Sequence, residues 1–191
     1  MGRERKFTTV DLFQSTKHLL LEIGYEGFTI SILAEHLNVA RGTIYKYYEN
    51  KDELITAFML YEMQNFLTEL IQIDKIVRFE SKFEFLLTII FNHHEVQHFL
   101  DLTKQISVAT NEVVRNNIEN LGKLHLEMYR YLQDFVDLGK KKDILKKSIP
   151  DGLILGFIFQ SIAIPNHFGT PHEEWVDSIK QIISHGMFTG G

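Results

Sequence analysis

Between Phe28 and Leu54 the chain reads FTISILAEHLNVARGTIYKYYENKDEL, and the chemistry in it is concentrated around one glycine. Arg41, Thr43, Tyr45, Lys46 and Tyr47 set a guanidinium, a hydroxyl, two phenols and an ammonium on a single short stretch. That set suits a major groove. A guanidinium pairs bidentately with guanine, threonine offers a hydroxyl and a methyl, and lysine and tyrosine reach phosphates. Gly42 removes a side chain where backbone and duplex would come close. Lys51 lies where its ammonium and the start of a following helix could hold one phosphate together.

These side chains need helices to aim them. Thr29 can cap a helix, because its hydroxyl accepts from an orphan backbone N–H. Ile30, Leu33, Ala34 and Leu37 then recur at helical spacing and form one apolar face. Asn38 tolerates the left-handed conformation that a tight turn needs. A second short helix, about Arg41 to Tyr47, turns Ile44 inward with Tyr48 just beyond it, and leaves Arg41, Thr43, Lys46 and Tyr47 outward with Tyr45 at the edge. The arrangement is a helix-turn-helix. Thr29 and Ser31, at the start of its first helix, join Arg41, Gly42, Thr43, Tyr45, Lys46, Tyr47 and Lys51 as the expected DNA-contact set.

Leu21 to Phe58, LEIGYEGFTISILAEHLNVARGTIYKYYENKDELITAF, resembles the DNA-binding head of the tetracycline-repressor (TetR) family. The features that carry the resemblance are the Gly-Tyr after the first helix, the Thr opening the second, Gly-Thr-Ile-Tyr, and Tyr-Tyr-x-Asn-Lys-x-x-Leu. It implies that Arg41, Thr43, Tyr45, Lys46, Tyr47 and Lys51 read bases or grip the backbone. Ala40 departs from the Ser or Thr cap usual there, Tyr48 stands where Phe is usual, and Asn38 stands where Gly is common.

The chain has 191 residues, 45% of them apolar, and no cysteine, which excludes disulfides and thiolate zinc sites and suits a reducing cytosol. Its opening, MGRERK, does not read as a signal peptide. Its longest apolar run, Gly152 to Ile164, is too short for a bilayer. A soluble bacterial cytoplasmic protein is expected, with no membrane partner. The net charge of −5 is unevenly distributed: residues 1–51 hold seven Lys/Arg and six Asp/Glu, and residues 52–191 hold thirteen and nineteen. Such a head makes a small, localised DNA contact rather than a broad electrostatic coat.

The expected fold is all-α: a three-helix head over 1–51 and a helical-bundle body over 52–191 that binds an effector and dimerises. Thr8 or Thr9 caps the first helix, Phe13, Leu19, Leu20 and Ile23 form its buried stripe, and Gly24 ends it. A long helix from Asp52 runs out of the head. Further helices are expected over Phe79–Asn92, Glu95–Thr110, Val114–Gly139, Pro150–Ile164 and His172–Met187, with no strand and no internal repeat. Arg3, Arg5 and Lys6 read as a solvated terminus in preference to a DNA arm. Lys140, Lys141, Lys142, Lys146 and Lys147 read as a solvated loop after a helix C-terminus, where cations are favoured.

The helix GLILGFIFQSIAI is apolar nearly all round, so it must be covered on more than one side. Paired across a two-fold axis with the last helix it gives a four-helix interface, through Ile154, Phe157, Ile158, Ser161, Trp175, Ile179, Ile182 and Ile183. TetR-like proteins dimerise this way. The resemblance also implies a small apolar or amphipathic effector, and Phe91, His98, Leu102, Gln105, Met128, Tyr131, Phe159 and Gln160 are the expected pocket residues.

His93, His94 and His98, with Glu95 or Asp101, lack a closed ligand set and read as surface or pocket-wall residues; no metal and no cofactor is expected. A nucleotide-binding glycine loop, a nucleophile elbow and His-Glu-x-x-His are all missing from the sequence, so catalysis has no support in it. The expectation is a homodimeric regulator that binds a palindromic operator and is released by its effector. An adaptor working through protein contacts is the rival reading, and Arg41, Thr43 and Lys46 speak against it.

Overall fold

The computed structural model describes residues 7–93, 105–106 and 111–190. Arg3, Arg5, Lys6, His94, Glu95, His98, Asp101, Leu102 and most of the helix expected over Glu95–Thr110 lie outside them. Eight α-helices are described: α1 (Thr9–Gly27), α2 (Ile30–His36), α3 (Arg41–Ile44), α4 (Lys51–Leu70), α5 (Phe79–Asn92), α6 (Glu112–Lys141), α7 (Asp151–Gln160) and α8 (His172–Met187). Tight 3₁₀ turns follow α4 (Ile71–Lys75) and α7 (Ser161–Ala163). Among the described residues there is no strand, only one isolated antiparallel bridge between Leu145 and Phe188. No described helix is long and apolar enough to cross a membrane.

The chain divides into two compact units, Met1–Met63 with Gln97–Lys123, and Gln64–Val96 with Leu124–Gly191. The division expected at residues 51–52 coincides instead with the start of α4. Leu54, Ile55 and Phe58 are fully buried in the first unit, and Phe58 packs 6.1 Å from the Phe13 ring, so the beginning of α4 is part of the head's own core.

In the first unit, Thr8 opens α1 with a capping box: its hydroxyl accepts from Asp11 N–H, and the Asp11 carboxylate accepts from the Thr8 backbone. Leu12, Phe13, Leu19 and Leu20 are buried as the helical period requires. Ile23 is not; it is 38% exposed, because the helical path breaks at the next residue, where Gly24 takes φ +67°. The Phe28 N–H closes the turn on the Gly24 carbonyl, and Phe28 is fully buried. Asn38 adopts φ +51°, the left-handed turn expected of it.

The second unit is built on stacked phenylalanines. Phe79 lies flat on Phe135 at 4.7 Å, and Phe188 tilts against both Phe79 and Phe83. Gly139 permits this: a Cβ there would stand 2.6 Å from both Leu145 Cδ1 and Phe79 Cζ. The lysine-rich loop after α6 is less solvated than expected. Lys140 pairs with Asp151 and donates to the Ile149 carbonyl, Lys147 pairs with Asp143, and Lys146 donates to the His185 and Gly186 carbonyls at the end of α8. Lys141, Lys142 and Lys147 are exposed, as expected of the run, whereas Lys140 and Lys146 are half-buried. The helix expected to reach Ile164 leaves α-geometry after Gln160, where Ser161 N–H and hydroxyl bond to Phe157 and Ile158 carbonyls.

Candidate nucleic-acid interface

The recognition segment is mounted on a single buried side chain. Ile44 has no exposed surface, whereas Arg41, Gly42, Tyr45, Lys46 and Tyr47 are exposed and Thr43 is half-buried. Regular α-helix covers only Arg41–Ile44, shorter than the stretch to Tyr47 expected from sequence. Beyond it the Tyr47 and Tyr48 N–H groups both return to the Ile44 carbonyl, making a turn. Ala40 occupies the N-cap and supplies no side-chain bond, as its type dictates; its carbonyl accepts from Thr43 N–H at 2.7 Å.

α2 is set by Thr29, whose hydroxyl accepts from Ile32 N–H at 3.2 Å, and by buried Ile30, Leu33 and Ala34. Ser31 is exposed on it. Tyr45 and Tyr47 are each 47% exposed, and the Tyr47 ring meets the edge of buried Phe7 at 6.3 Å. One face of Tyr47 is therefore braced while part of its ring remains accessible.

Lys51 is more constrained than sequence suggests. Its Nζ donates to the Tyr25 carbonyl at 2.9 Å and lies 3.9 Å above the Tyr25 ring. The Tyr25 hydroxyl in turn donates to Asp52 Oδ1 at 2.7 Å. Burial, with the Asp52 carboxylate as acceptor and neighbour, pushes the Tyr25 phenol well above its usual range, so it stays protonated and keeps donating. An ammonium has three donors, of which the Tyr25 carbonyl takes one. The arrangement fixes the orientation of Lys51 and leaves two of its donors unused by Tyr25. From sequence Tyr25 reads only as packing; the signal for its second task is the Gly-Tyr pair, whose Gly24 turn aims the ring and carbonyl toward α4.

Of the remaining expected residues that are described, Gln105 is exposed in the first unit and the others fall into the second. Of the expected pocket, Phe91 and Met128 are buried, Tyr131 and Phe159 half-buried and Gln160 exposed; His98 and Leu102 lie outside the described residues. Of the expected dimer face, Ile154, Ile158, Ser161, Ile179 and Ile183 are buried within the unit itself and Trp175 is half-buried. Phe157 and Ile182 are exposed, at 56% and 71%, with Leu153 beside them. A shallow apolar hollow of about 280 Å³ is lined by Ile149, Leu153, Phe157, Ile182, Ile183, Gly186 and Met187. His93 Nε2 sits 3.2 Å from Glu69 and its ring stands on the Phe66 edge. Among the described residues no group of three or more His, Asp or Glu side chains could hold a metal ion.

Residues 12–58, which contain the helix-turn-helix and its Lys51 flank, match the family of bacterial regulatory proteins called the tetR family. That match covers the head and leaves the rest of the chain outside it. Comparison with curated proteins gives no match. Among solved structures, this chain is similar to the ketosteroid transcriptional regulator KstR2 of Mycobacterium tuberculosis, with TM-score 0.74, 14% identity, and coverage of 99% of this chain and 97% of that one. It is also similar to the fatty acid degradation regulator FadR of Bacillus halodurans, with TM-score 0.66, 19% identity and 96% of each chain covered. A third is FadR of Bacillus subtilis in complex with stearoyl-CoA, with TM-score 0.64, 20% identity, and 94% and 99% covered. At these identities the likeness establishes the fold: a helix-turn-helix head followed by a helical body, over nearly the whole chain. The family is one of transcriptional regulators.

Proposed function

We propose that this chain is a tetR-family regulator, a homodimeric repressor that binds a palindromic operator and is released by a small apolar or amphipathic effector. The observation that carries the reading is the row of Arg41, Thr43, Tyr45, Lys46 and Tyr47 displayed over buried Ile44, with Lys51 already oriented by Tyr25. Arg41 and Thr43 take base edges; Tyr47, Lys46 and Lys51 take phosphates. Two heads placed in successive major grooves lie roughly 34 Å apart, one helical turn.

Dimerisation is supported by the exposed apolar trio of Leu153, Phe157 and Ile182 on α7 and α8. Large apolar side chains clustered on one face mark an interaction site. The effector class is supported by Phe91 and Met128 within the body and by the stearoyl-CoA complex of the B. subtilis FadR, which this chain resembles in fold. Release by effector needs only modest coupling, since a hundredfold loss of DNA affinity corresponds to about 2.8 kcal/mol.

The test is selection from randomised duplexes followed by titration in salt. A symmetric motif whose log affinity falls steeply with log salt is expected, because phosphate contacts release counterions. Recovery of no motif and a flat salt response would overturn the operator reading and favour an adaptor that works through protein contacts. Native mass spectrometry of protein purified from its own host reports subunit number and any retained apolar ligand in the same measurement.

A further inference from the structure

Five side chains in the first unit, Glu49, Glu53, Thr56, Asn111 and Asn117, form a clasp beside the recognition segment. Asn111 stands immediately before α6. Its Oδ1 accepts from Val113 N–H at 2.7 Å and Val114 N–H at 3.4 Å, capping that helix. Its Nδ2 reaches across to α4, donating to Glu53 Oε1 and, more weakly at 3.5 Å, to Glu49 Oε2. Glu53 is only 4% exposed, and its other oxygen accepts from the Glu49 backbone N–H at 2.7 Å. Its own N–H donates to Asn50 Oδ1. One turn further along, Asn117 Nδ2 donates to the Thr56 hydroxyl, which donates to the Asp52 carbonyl.

Among the described residues, the side-chain bonds from Asn111 and Asn117 converge on Glu49–Thr56, the segment that begins two residues after Tyr47 and includes Lys51. A buried carboxylate is costly unless its lone pairs are satisfied, so Glu53 fixes the position of whatever donates to it. The donors are the Glu49 backbone, which leads directly from the recognition turn, and Asn111, which belongs to a distant stretch of sequence. We propose that Asn111, acting through Glu53, is a positioning residue for DNA binding: it holds the Glu49–Lys51 turn, and with it Tyr47 and Lys51, in the geometry that meets the phosphate backbone. This rests on the operator-binding reading. Neither Asn111 nor Glu53 touches DNA in that reading, so the effect is one of placement.

The test exchanges the polarity of the bond. Asn111→Asp preserves the cap on α6 but sets a carboxylate against Glu53 and Glu49. Operator affinity, measured by fluorescence anisotropy on the selected duplex, should fall about tenfold, as expected when a buried hydrogen bond is replaced by like charges. Adding Glu53→Gln lets a glutamine amide donate to the carboxylate introduced at position 111, while its carbonyl accepts from Glu49 N–H. Affinity should then recover to within about threefold of the starting protein, the sign of a direct pairwise coupling. Melting by circular dichroism confirms that each variant is folded at the assay temperature. Undiminished affinity in Asn111→Asp would overturn the proposal, as would a double variant no better than Asn111→Asp. If the unaltered protein bound no duplex, the operator reading itself would fall and this proposal with it. That result is distinguishable from a failure of the clasp alone.

Discussion

The head and the body use buried surface for opposite ends. In the head, apolar residues are hidden so that polar ones can be displayed: Ile44 is fully covered while Arg41, Lys46 and two phenols face outward, and Tyr25 is turned to hold Lys51. In the body, phenylalanines stack through the interior, yet Leu153, Phe157 and Ile182 remain on the surface beside an apolar hollow. A surface that shows hydrogen-bond donors selects a polyanion; one that shows branched and aromatic carbon selects another apolar surface. The two regions thus present different chemistry, and each can be broken without the other.

The largest effect should come from the head's mounting. Ile44→Ala removes a fully buried side chain from beneath the recognition segment and should cost about 2–4 kcal/mol of head stability by urea unfolding. Operator binding should disappear with it, although none of the proposed DNA-contacting groups has been changed. Undisturbed binding would mean that α3 does not depend on Ile44 for its placement. The corresponding break in the body is Phe157→Glu with Ile182→Glu. Both side chains are exposed within the protomer, so folding should survive while self-association weakens by about tenfold or more, an order of magnitude expected for charge placed in an apolar interface. Sedimentation velocity checks it: an unchanged dimer would move the interface elsewhere.

A finer contrast lies inside the head. Arg41→Ala should relax discrimination at one base pair of each half-site by about 1–3 kcal/mol. Lys51→Ala should weaken all sequences alike and lower the salt slope by about one unit per head. If Arg41→Ala left base preference intact, direct readout by that guanidinium would be wrong. If Lys51→Ala left the salt slope unchanged, the ammonium would serve only Tyr25.

What the sequence makes legible follows from how local each feature is. The helix-turn-helix is specified by neighbours: Thr29 caps Ile32, Asn38 turns left-handed, and Ile44 supports residues within three positions of itself. Spacing alone is enough for these. Ile23 leaves the buried stripe because Gly24 does more than end a helix; its turn changes which side of the chain faces inward. Glu53 and Asn111 are 58 positions apart, and nothing in either neighbourhood announces the other. The proposed dimer face stands between the two. The period of α7 and α8 finds the apolar positions, but period cannot say which of two apolar sides packs at home; Ile154, Ile158, Ile179 and Ile183 do, leaving Phe157 and Ile182.

The smallest effect compares two acids in the first turns of helices, one from each region. Asp11 in α1 and Asp151 in α7 both have carboxyls held below the usual carboxylate range. For Asp11 the cause is the Thr8 hydroxyl and backbone N–H; for Asp151 it is hydrogen bonds from Lys140, then from Gln133, against a slight opposing burial. A carboxyl whose folded value is depressed takes up its proton more readily when unfolded. Its contribution to stability is therefore complete above the unfolded value, near about 4, and drains away as pH falls through the folded one. Asp151→Asn should lower the urea midpoint by a constant amount between about pH 6 and 8, and the gap to the unaltered protein should narrow below about pH 4. Asp11→Asn should behave alike but with the smaller gap, because Thr8 offers neutral donors and Lys140 a charged one. Equal gaps would show that solvent screens the Lys140 ion pair down to the worth of an ordinary helix cap.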